Sequence, residues 1–280
     1  MIACIPATSA LDTEGMLTLE ATEPILDEVL ARVRATHGVD FTGYRRATIL
    51  RRLTFRMVRV GARTGEAYLA TLREQPDEAA RLVEQLTVKV SRFYRNAPMF
   101  DAVRRLLPEL PGIAAGAPLR LWSAGCGHGE EAYTLAMLLD GRAGEVVASD
   151  VDDAALAVAR QGIYAPPAIV ELPAALAQRW LEVVPPATVR VRKALRARVR
   201  FVRQDLTATD APPSEPCHLV CCRNVLIYLT PPVQHRVLDL LVNSLVPGGL
   251  LCLGEAEWIA QPRPGLALVD HRLRLFRRAA

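Results

Sequence analysis

No apolar run in this 280-residue chain approaches the roughly 20 residues needed to cross a bilayer, which excludes a membrane-inserted enzyme. Met1 to Gly15 lacks the basic stretch followed by an apolar one that marks a secretory signal. The six cysteines are scattered without the spacing of a disulfide framework, which suits the reducing cytoplasm. A net charge of +4 is too mild to imply a nucleic-acid partner. No internal repeat or low-complexity segment is visible. What remains is a globular composition, 51% hydrophobic, in a chain long enough for one large domain or for a small domain joined to a medium one.

Three zones follow along the chain. Residues 1–20 are expected to be a flexible tail, as unanchored termini usually are. From 21 to 107 the pattern is helical, with candidate helices over Glu23–Thr36, Tyr44–Val60, Gly65–Glu74 and Asp77–Lys89 separated by glycine and proline breaks. Residues 108–118, with Pro108, Pro111, Gly112, Gly116 and Pro118, read as a linker. Across 119–280, strand-like and helical segments alternate. The strands are Arg120–Ser123, Glu145–Ser149, Val199–Arg203, Leu219–Cys222, Leu250–Gly254 and Arg272–Arg277, and the helices are Glu131–Leu139, Asp153–Arg160 and Pro232–Leu245. Such alternation predicts an α/β fold with a doubly wound, Rossmann-like sheet. Pro247-Gly248-Gly249 is expected to close the last helix, and His271–Arg277 to form an edge-proximal antiparallel strand.

The chemistry concentrates at Leu119–Glu131, a buried strand, a turn carrying Gly125, Gly127 and Gly129, and a helix opening on Glu130 and Glu131. A glycine turn between strand and helix lets a nucleotide-like ligand approach the backbone. Two carboxylates at the helix N-terminus would repel a pyrophosphate, and the third glycine falls one residue early for G-x-G-x-x-G. The turn therefore points to an adenosine cofactor without phosphate and with a positive centre, namely S-adenosylmethionine. Val146–Asp150 is a strand ending in an acid about 20 residues beyond the turn, where a carboxylate takes ribose hydroxyls. Asp152 reads as a helix cap, and Asp205, after a third strand, lies on the same rim. Cys217-His218 with Cys221-Cys222 invites a metal site, but Cys221 and Cys222 alternate across a strand and read as buried thiols, so no metal is expected.

Cys222-Arg-Asn-Val-Leu-Ile-Tyr-Leu229, taken with Trp122–Thr134, Ser149–Asp152, Tyr44–Leu53 and Val90–Asn96, resembles the chemotaxis receptor methyltransferases of the CheR family from about residue 22 to the C-terminus. The resemblance implies a small N-terminal all-helical, receptor-docking domain, a methyltransferase sheet, and a small inserted β-subdomain at about 163–198. It implies cofactor contacts from Lys89, Ser91, Arg95, Gly125, Glu130, Asp150, Asp205, Leu206, Arg223 and Asn224. Lys89 stands where the family has Asn, and Glu255 where it often has His. Arg95 and Tyr228 are implied as orienting groups, with no general base, since a glutamate carboxylate is already ionised at neutral pH.

The implied reaction is methyl esterification of glutamates on the cytoplasmic helical domain of chemoreceptors, by a cytoplasmic monomer recruited to receptor arrays, with S-adenosylhomocysteine leaving. Arg45, Arg52, Arg56 and Arg59 fall within about 40° of one helix direction, with Ile49, Leu53, Met57 and Val60 roughly a right angle away. The resemblance makes those arginines the receptor-docking stripe. Loop Val183–Thr188 contains no glycine, unlike the family loop that grips a receptor's C-terminal peptide, so independence from that tether is expected. Two alternatives stay open from the sequence: a methyltransferase for another substrate, and a non-catalytic S-adenosylmethionine-binding signalling module.

Overall fold

The computed structural model describes residues 22–87, 89–113, 116–259 and 263–279. The expected tail at 1–20 lies outside them. The chain divides into two compact units, one ending at Thr87 and one beginning at Val88.

Among its described residues the first unit holds four α-helices, α1 (Leu26–His37), α2 (Arg46–Arg59), α3 (Gly65–Glu74) and α4 (Glu78–Leu86). Each forms where apolar residues recur at helical spacing, as in Leu26, Val29, Leu30 and Val33 of α1. Gly38, left-handed at φ 65°, ends α1, and the Thr64 side chain caps α3 by accepting from Ala67 N.

The second unit comprises α5 (Ala97–Leu106), β1 (Leu119–Ala124), α6 (Glu130–Leu138), β2 (Gly144–Asp150), α7 (Asp153–Gln161) and β3 (Ile163–Tyr164), then α8 (Ala174–Trp180), β4 (Leu181–Val184), β5 (Thr188–Val191), α9 (Lys193–Arg196) and β6 (Val199–Arg203). It closes with β7 (Cys217–Cys222), α10 (Pro231–Asn243), β8 (Leu245–Leu253), β9 (Leu266–Asp270) and β10 (Leu275–Arg278). Seven strands form one sheet in the order β6-β2-β1-β7-β8-β10-β9. The first five are parallel; β10 runs antiparallel to β8 and to β9. All six residues of β7 are buried, as both-sided covering of a parallel sheet requires. Strand order reverses between β1 and β7, so the crevice outside the carboxyl ends of β1, β2, β6 and β7 is where such a fold binds ligands. A separate antiparallel sheet, β3-β5-β4, supplies the small inserted sheet.

Several boundaries differ from the sequence pattern. α5 belongs with the sheet and not with the helices before it: Phe93, Met99, Phe100, Val103 and Leu107 join the buried cluster that contains Leu121, Leu135 and Leu219. The stretch at 107–113 is therefore a connection inside the second unit, with Leu107 and Leu110 buried in the same cluster. Pro247-Gly248-Gly249 lies within β8, where the pairing with β7 shifts register, and β9 is an additional edge strand.

Candidate functional site

The glycine turn is folded by its backbone. Gly125 N and Cys126 N both donate to Ser149 O at 2.8 and 3.0 Å, tying the end of β1 to the end of β2. Gly125 has φ +76°, and a Cβ there would lie 2.4 Å from Val225 Cγ2. The missing side chain thus makes room for the loop after β7. Gly129, at φ +92°, opens α6.

Around this turn the carboxyl ends of four strands bring the expected residues together. Asp150 accepts from Gly127 N (2.8 Å) on one oxygen and Asp152 N (3.0 Å) on the other, which leaves each oxygen a lone pair for ribose hydroxyls. Burial raises its pKa, while those two amides and the nearby Lys89 ammonium pull it back down. Asp152 caps α7 by accepting from Ala155 N at 3.0 Å. Asp205 accepts from Thr207 N and Oγ1 at 2.8 and 2.7 Å, and Leu206 is buried beside it.

The two acids that open α6 have separate fates. Glu131 accepts from Ser123 Oγ (2.7 Å) and pairs with Arg223 (3.2 Å), so its charge is neutralised internally. Glu130 is 4% exposed, and its Oε2 has no hydrogen-bond partner among the described residues. Burial pushes its pKa up to about 7, against the lowering influence of its backbone and of the Ser91 hydroxyl. A buried carboxylate oxygen with no partner among the described residues, at the helix end beside the glycine turn, suits a cationic or hydrogen-donating ligand group and rejects phosphate.

Arg223 lies mostly inside the protein. Its guanidinium donates to Glu131, to Arg95 O (3.0 Å) and to Asn96 Oδ1, and lies 5.4 Å from the Phe100 ring centre. It joins the end of β7 to the chain before α5. Asn224 has a left-handed backbone, φ 61°, as do Tyr94 (59°) and Asn96 (67°). Such conformations cost about 1–3 kcal/mol each and persist where surroundings over-determine them. For Asn224 the surroundings are Glu257, whose buried carboxylate accepts from Asn224 N, Val225 N, Leu226 N and Gly254 N at 2.6 to 2.9 Å. Burial raises the Glu257 pKa and these four amides oppose the rise.

Lys89, Ser91 and Arg95 lie on the segment that opens the second unit. Lys89 forms an ion pair with Asp152, Ser91 reaches Glu130, and Arg95 Nη1 donates to Val90 O at 2.8 Å. Tyr228 is half-buried in a single turn over Leu226–Tyr228.

Residue-by-residue reading of the sequence takes Glu131 only as one of two phosphate-repelling acids and assigns no role of their own to Glu257 or Asn96. A glycine three residues before an acid, after the apolar strand β8, is the one local signal for the Glu257 clamp. Asn96 links Arg223 to Glu255 through its Nδ2, a pairing with no local signal. His218 Nδ1 accepts from Arg120 N at 3.1 Å, and Cys217, Cys221 and Cys222 are buried.

In the first unit the arginine stripe is broken. Arg45 and Arg59 are exposed, while Arg52 is half-buried and donates to Gln85 O at 2.9 Å. Arg56 is not available for docking. It is 8% exposed and bound through two nitrogens to the fully buried Glu78, which also accepts from Tyr68 Oη. Contrary to the right angle expected between the arginine and apolar stripes, Arg56 follows Ile49 by seven residues, about two turns, and so lies close to that residue's inward bearing. The exposed face of α2 instead carries Arg51, Phe55, Val58 and Arg59.

Residues 89–270 match the family described as CheR methyltransferase, SAM binding domain, and residues 25–87 match CheR methyltransferase, all-alpha domain. The chain belongs to the CheR methyltransferase family. It is 33% identical to a chemotaxis protein methyltransferase of Klebsiella aerogenes, over 80% of this chain and 79% of that one. It is 30% identical to chemotaxis protein methyltransferase 2 of Pseudomonas aeruginosa, over 90% and 93%. It is also 32% identical to an uncharacterized 104.1 kDa protein of Rhodobacter capsulatus, covering 85% of this chain but only 26% of that longer protein. As a CheR-family methyltransferase it uses S-adenosylmethionine, and the orphaned Glu130 oxygen and the Asp150 carboxylate fit that cofactor's cationic and ribose groups. No helix among the described residues is long and apolar enough to cross a membrane.

Proposed function

We propose that this CheR-family enzyme transfers the methyl group of S-adenosylmethionine to glutamate side chains on the cytoplasmic helical domain of chemoreceptors, acting as a monomer recruited to their arrays. The observation that carries the reading is the rim formed by Glu130, Asp150, Asp205 and Asn224 at the carboxyl ends of the sheet, in a chain whose relatives are named chemotaxis methyltransferases. When bound, the cofactor supplies an electrophilic methyl on a sulfonium. A glutamate carboxylate, already ionised at neutral pH, would take that methyl on its own lone pair while the sulfur kept the electrons of its bond to carbon, so no proton would move and the chain need supply no general base.

The protein's contribution is therefore placement and exclusion of water, which can supply several kcal/mol of the roughly 7–11 available from proximity. Asp150 would hold ribose hydroxyls, Glu130 and Ser91 the polar end, and Asp205 with Leu206 the adenine side. Asn224, on the loop clamped by Glu257, would lie beside the methyl donor, with Arg95 and Tyr228 orienting the incoming carboxylate. The exposed α2 face, with Arg45, Arg51, Phe55, Val58 and Arg59, suits an acidic amphipathic helix, and steering by its charge should weaken with salt. The β4–β5 loop, with Pro185 and Pro186 and no glycine, supports action without a receptor peptide tether; tight calorimetric binding of a receptor tail peptide would overturn that part.

The test is incubation of the protein with methyl-labelled cofactor and receptor-containing membranes. Label on the receptor that mild base releases as methanol supports the glutamyl ester. Label on RNA or on a small molecule, or cofactor binding without transfer, overturns it.

A further inference from the structure

The Lys89–Asp152 pair lies beside the cofactor rim, yet neither partner's role there follows from the reaction. The residues are 63 positions apart, and their side chains are 13% and 2% exposed. Asp152 is immobilised twice. Its other oxygen caps α7 through Ala155 N, and its own N donates to Asp150 Oδ1. Asp150 in turn accepts from Gly127 N. An unbroken chain of polar contacts therefore runs from Lys89 through Asp152 and Asp150 to the glycine turn.

The segment Lys89–Asn96 is firmly held at its far end. Phe93 is buried and its N donates to Ala168 O (2.9 Å), while Tyr94 N donates to Thr134 Oγ1 (3.0 Å). Its near end differs, since Val90 is 72% exposed. Upstream of Phe93, the Lys89 ammonium is held by the buried Asp152 carboxylate. Ser91, whose hydroxyl meets Glu130, sits between these two fixed points.

We propose that Lys89 is a positioning residue: by pairing with Asp152 it latches the 89–95 segment onto the ribose-side rim, so that Ser91 and Arg95 are pre-placed for the cofactor without Lys89 itself touching it. The pairing answers the electrostatic objection to a lysine near a sulfonium. A charge neutralised on a buried carboxylate adds little repulsion, and its remaining field falls on Asp150, favouring the ionised form that accepts ribose hydroxyls. The proposal rests on this rim being the S-adenosylmethionine site, and the wild-type titration below tests that premise separately.

The experiment is calorimetric titration of S-adenosylhomocysteine into the full chain and into Lys89→Met, Lys89→Arg, Asp152→Asn and the Lys89→Met/Asp152→Asn double variant. Asn keeps the α7 cap. Hydrogen exchange of residues 89–95 in the ligand-free proteins accompanies it. We expect Lys89→Met and Asp152→Asn each to weaken binding by roughly 5- to 30-fold. The double variant should be no weaker than either single one, since the two share one interaction. Lys89→Arg should bind within about threefold of wild type, and exchange in 89–95 should quicken in Lys89→Met while the sheet stays protected. Wild-type-like binding by Lys89→Met, or single effects that multiply in the double variant, overturns the latch. If Asp152→Asn does not fold, the Lys89→Met and Lys89→Arg pair decides by binding and exchange together. Failure of the wild type to bind S-adenosylhomocysteine would instead overturn the site.

Discussion

Glu130 makes the sharpest quantitative test of the rim. Its carboxyl is buried with one oxygen unpartnered, and its pKa stands at about 7 against an ordinary 4.5. A folded-state pKa above the unfolded one means that the fold favours the protonated form. That stability is fully present below about pH 4.5 and is lost as pH rises through about 7. Between pH 5 and pH 8 the loss is about 2.5 kcal/mol, at about 1.4 kcal/mol per tenfold in proton affinity. Glu130→Gln keeps the shape and never ionises, so its stability advantage over wild type should grow by about that amount across the same range. Trp122, Trp180 and Trp258 are the chain's three tryptophans and all lie beyond residue 88, so tryptophan fluorescence reports melting of the second unit alone. For a unit of this size each kcal/mol moves Tm by about 2–4 °C, which predicts a gap widening by about 5–10 °C. The same variant should bind S-adenosylhomocysteine roughly tenfold or more weakly at pH 8, because a charge-assisted contact is lost. A Tm difference that does not change with pH, or a Gln variant less stable than wild type at pH 8, would refute the argument.

Four further outcomes are expected. Gly125→Ala should lower the second unit's stability by more than about 2 kcal/mol, through its left-handed backbone and the contact with Val225; adding Val225→Ala should restore only the contact's share in the same fluorescence melt. Glu257→Ala should cost more than about 3 kcal/mol by leaving four amides without their acceptor, with Glu257→Gln recovering part, as followed by denaturant unfolding. Arg56→Ala should destabilise the helical unit by about 3–5 kcal/mol, seen by hydrogen exchange, because it leaves Glu78 buried and unpaired. Arg45→Ala/Arg59→Ala should leave that unit's exchange unchanged and raise KM for receptor membranes most strongly at low salt.

The sheet is legible in the chain because its strands are short apolar runs ending in the glycine turn, Asp150, Asp205 and Arg223-Asn224, and local pattern suffices to mark each one. Long-range pairing is not legible. Lys89 reads as a displaced cofactor contact until Asp152 is brought against it, and Arg223 as a ligand until Glu131 and Asn96 claim its nitrogens. The same limit moves α5 across a domain boundary: its helical spacing gives no hint that Phe100 and Val103 pack with Leu121 and Leu219. Arg56 fails for a different reason. Charge on a helix face suggests solvent, but at two turns from Ile49 it points inward, and only a distant acid, Glu78, makes that tolerable. β9 is missed because Leu266–Asp270 is a short edge strand whose pairing lies wholly on β10.

The contact between Gly125 and Val225 has a consequence for how the family can drift. The turn and the β7 loop interlock through an absent side chain, so neither position is free to change alone: a larger residue at 125 needs a smaller one at 225, and the left-handed backbone still resists it. Substitutions at this rim should therefore appear in sequence as linked pairs, and a new cofactor preference bred through position 125 should arrive only with a matching change at 225.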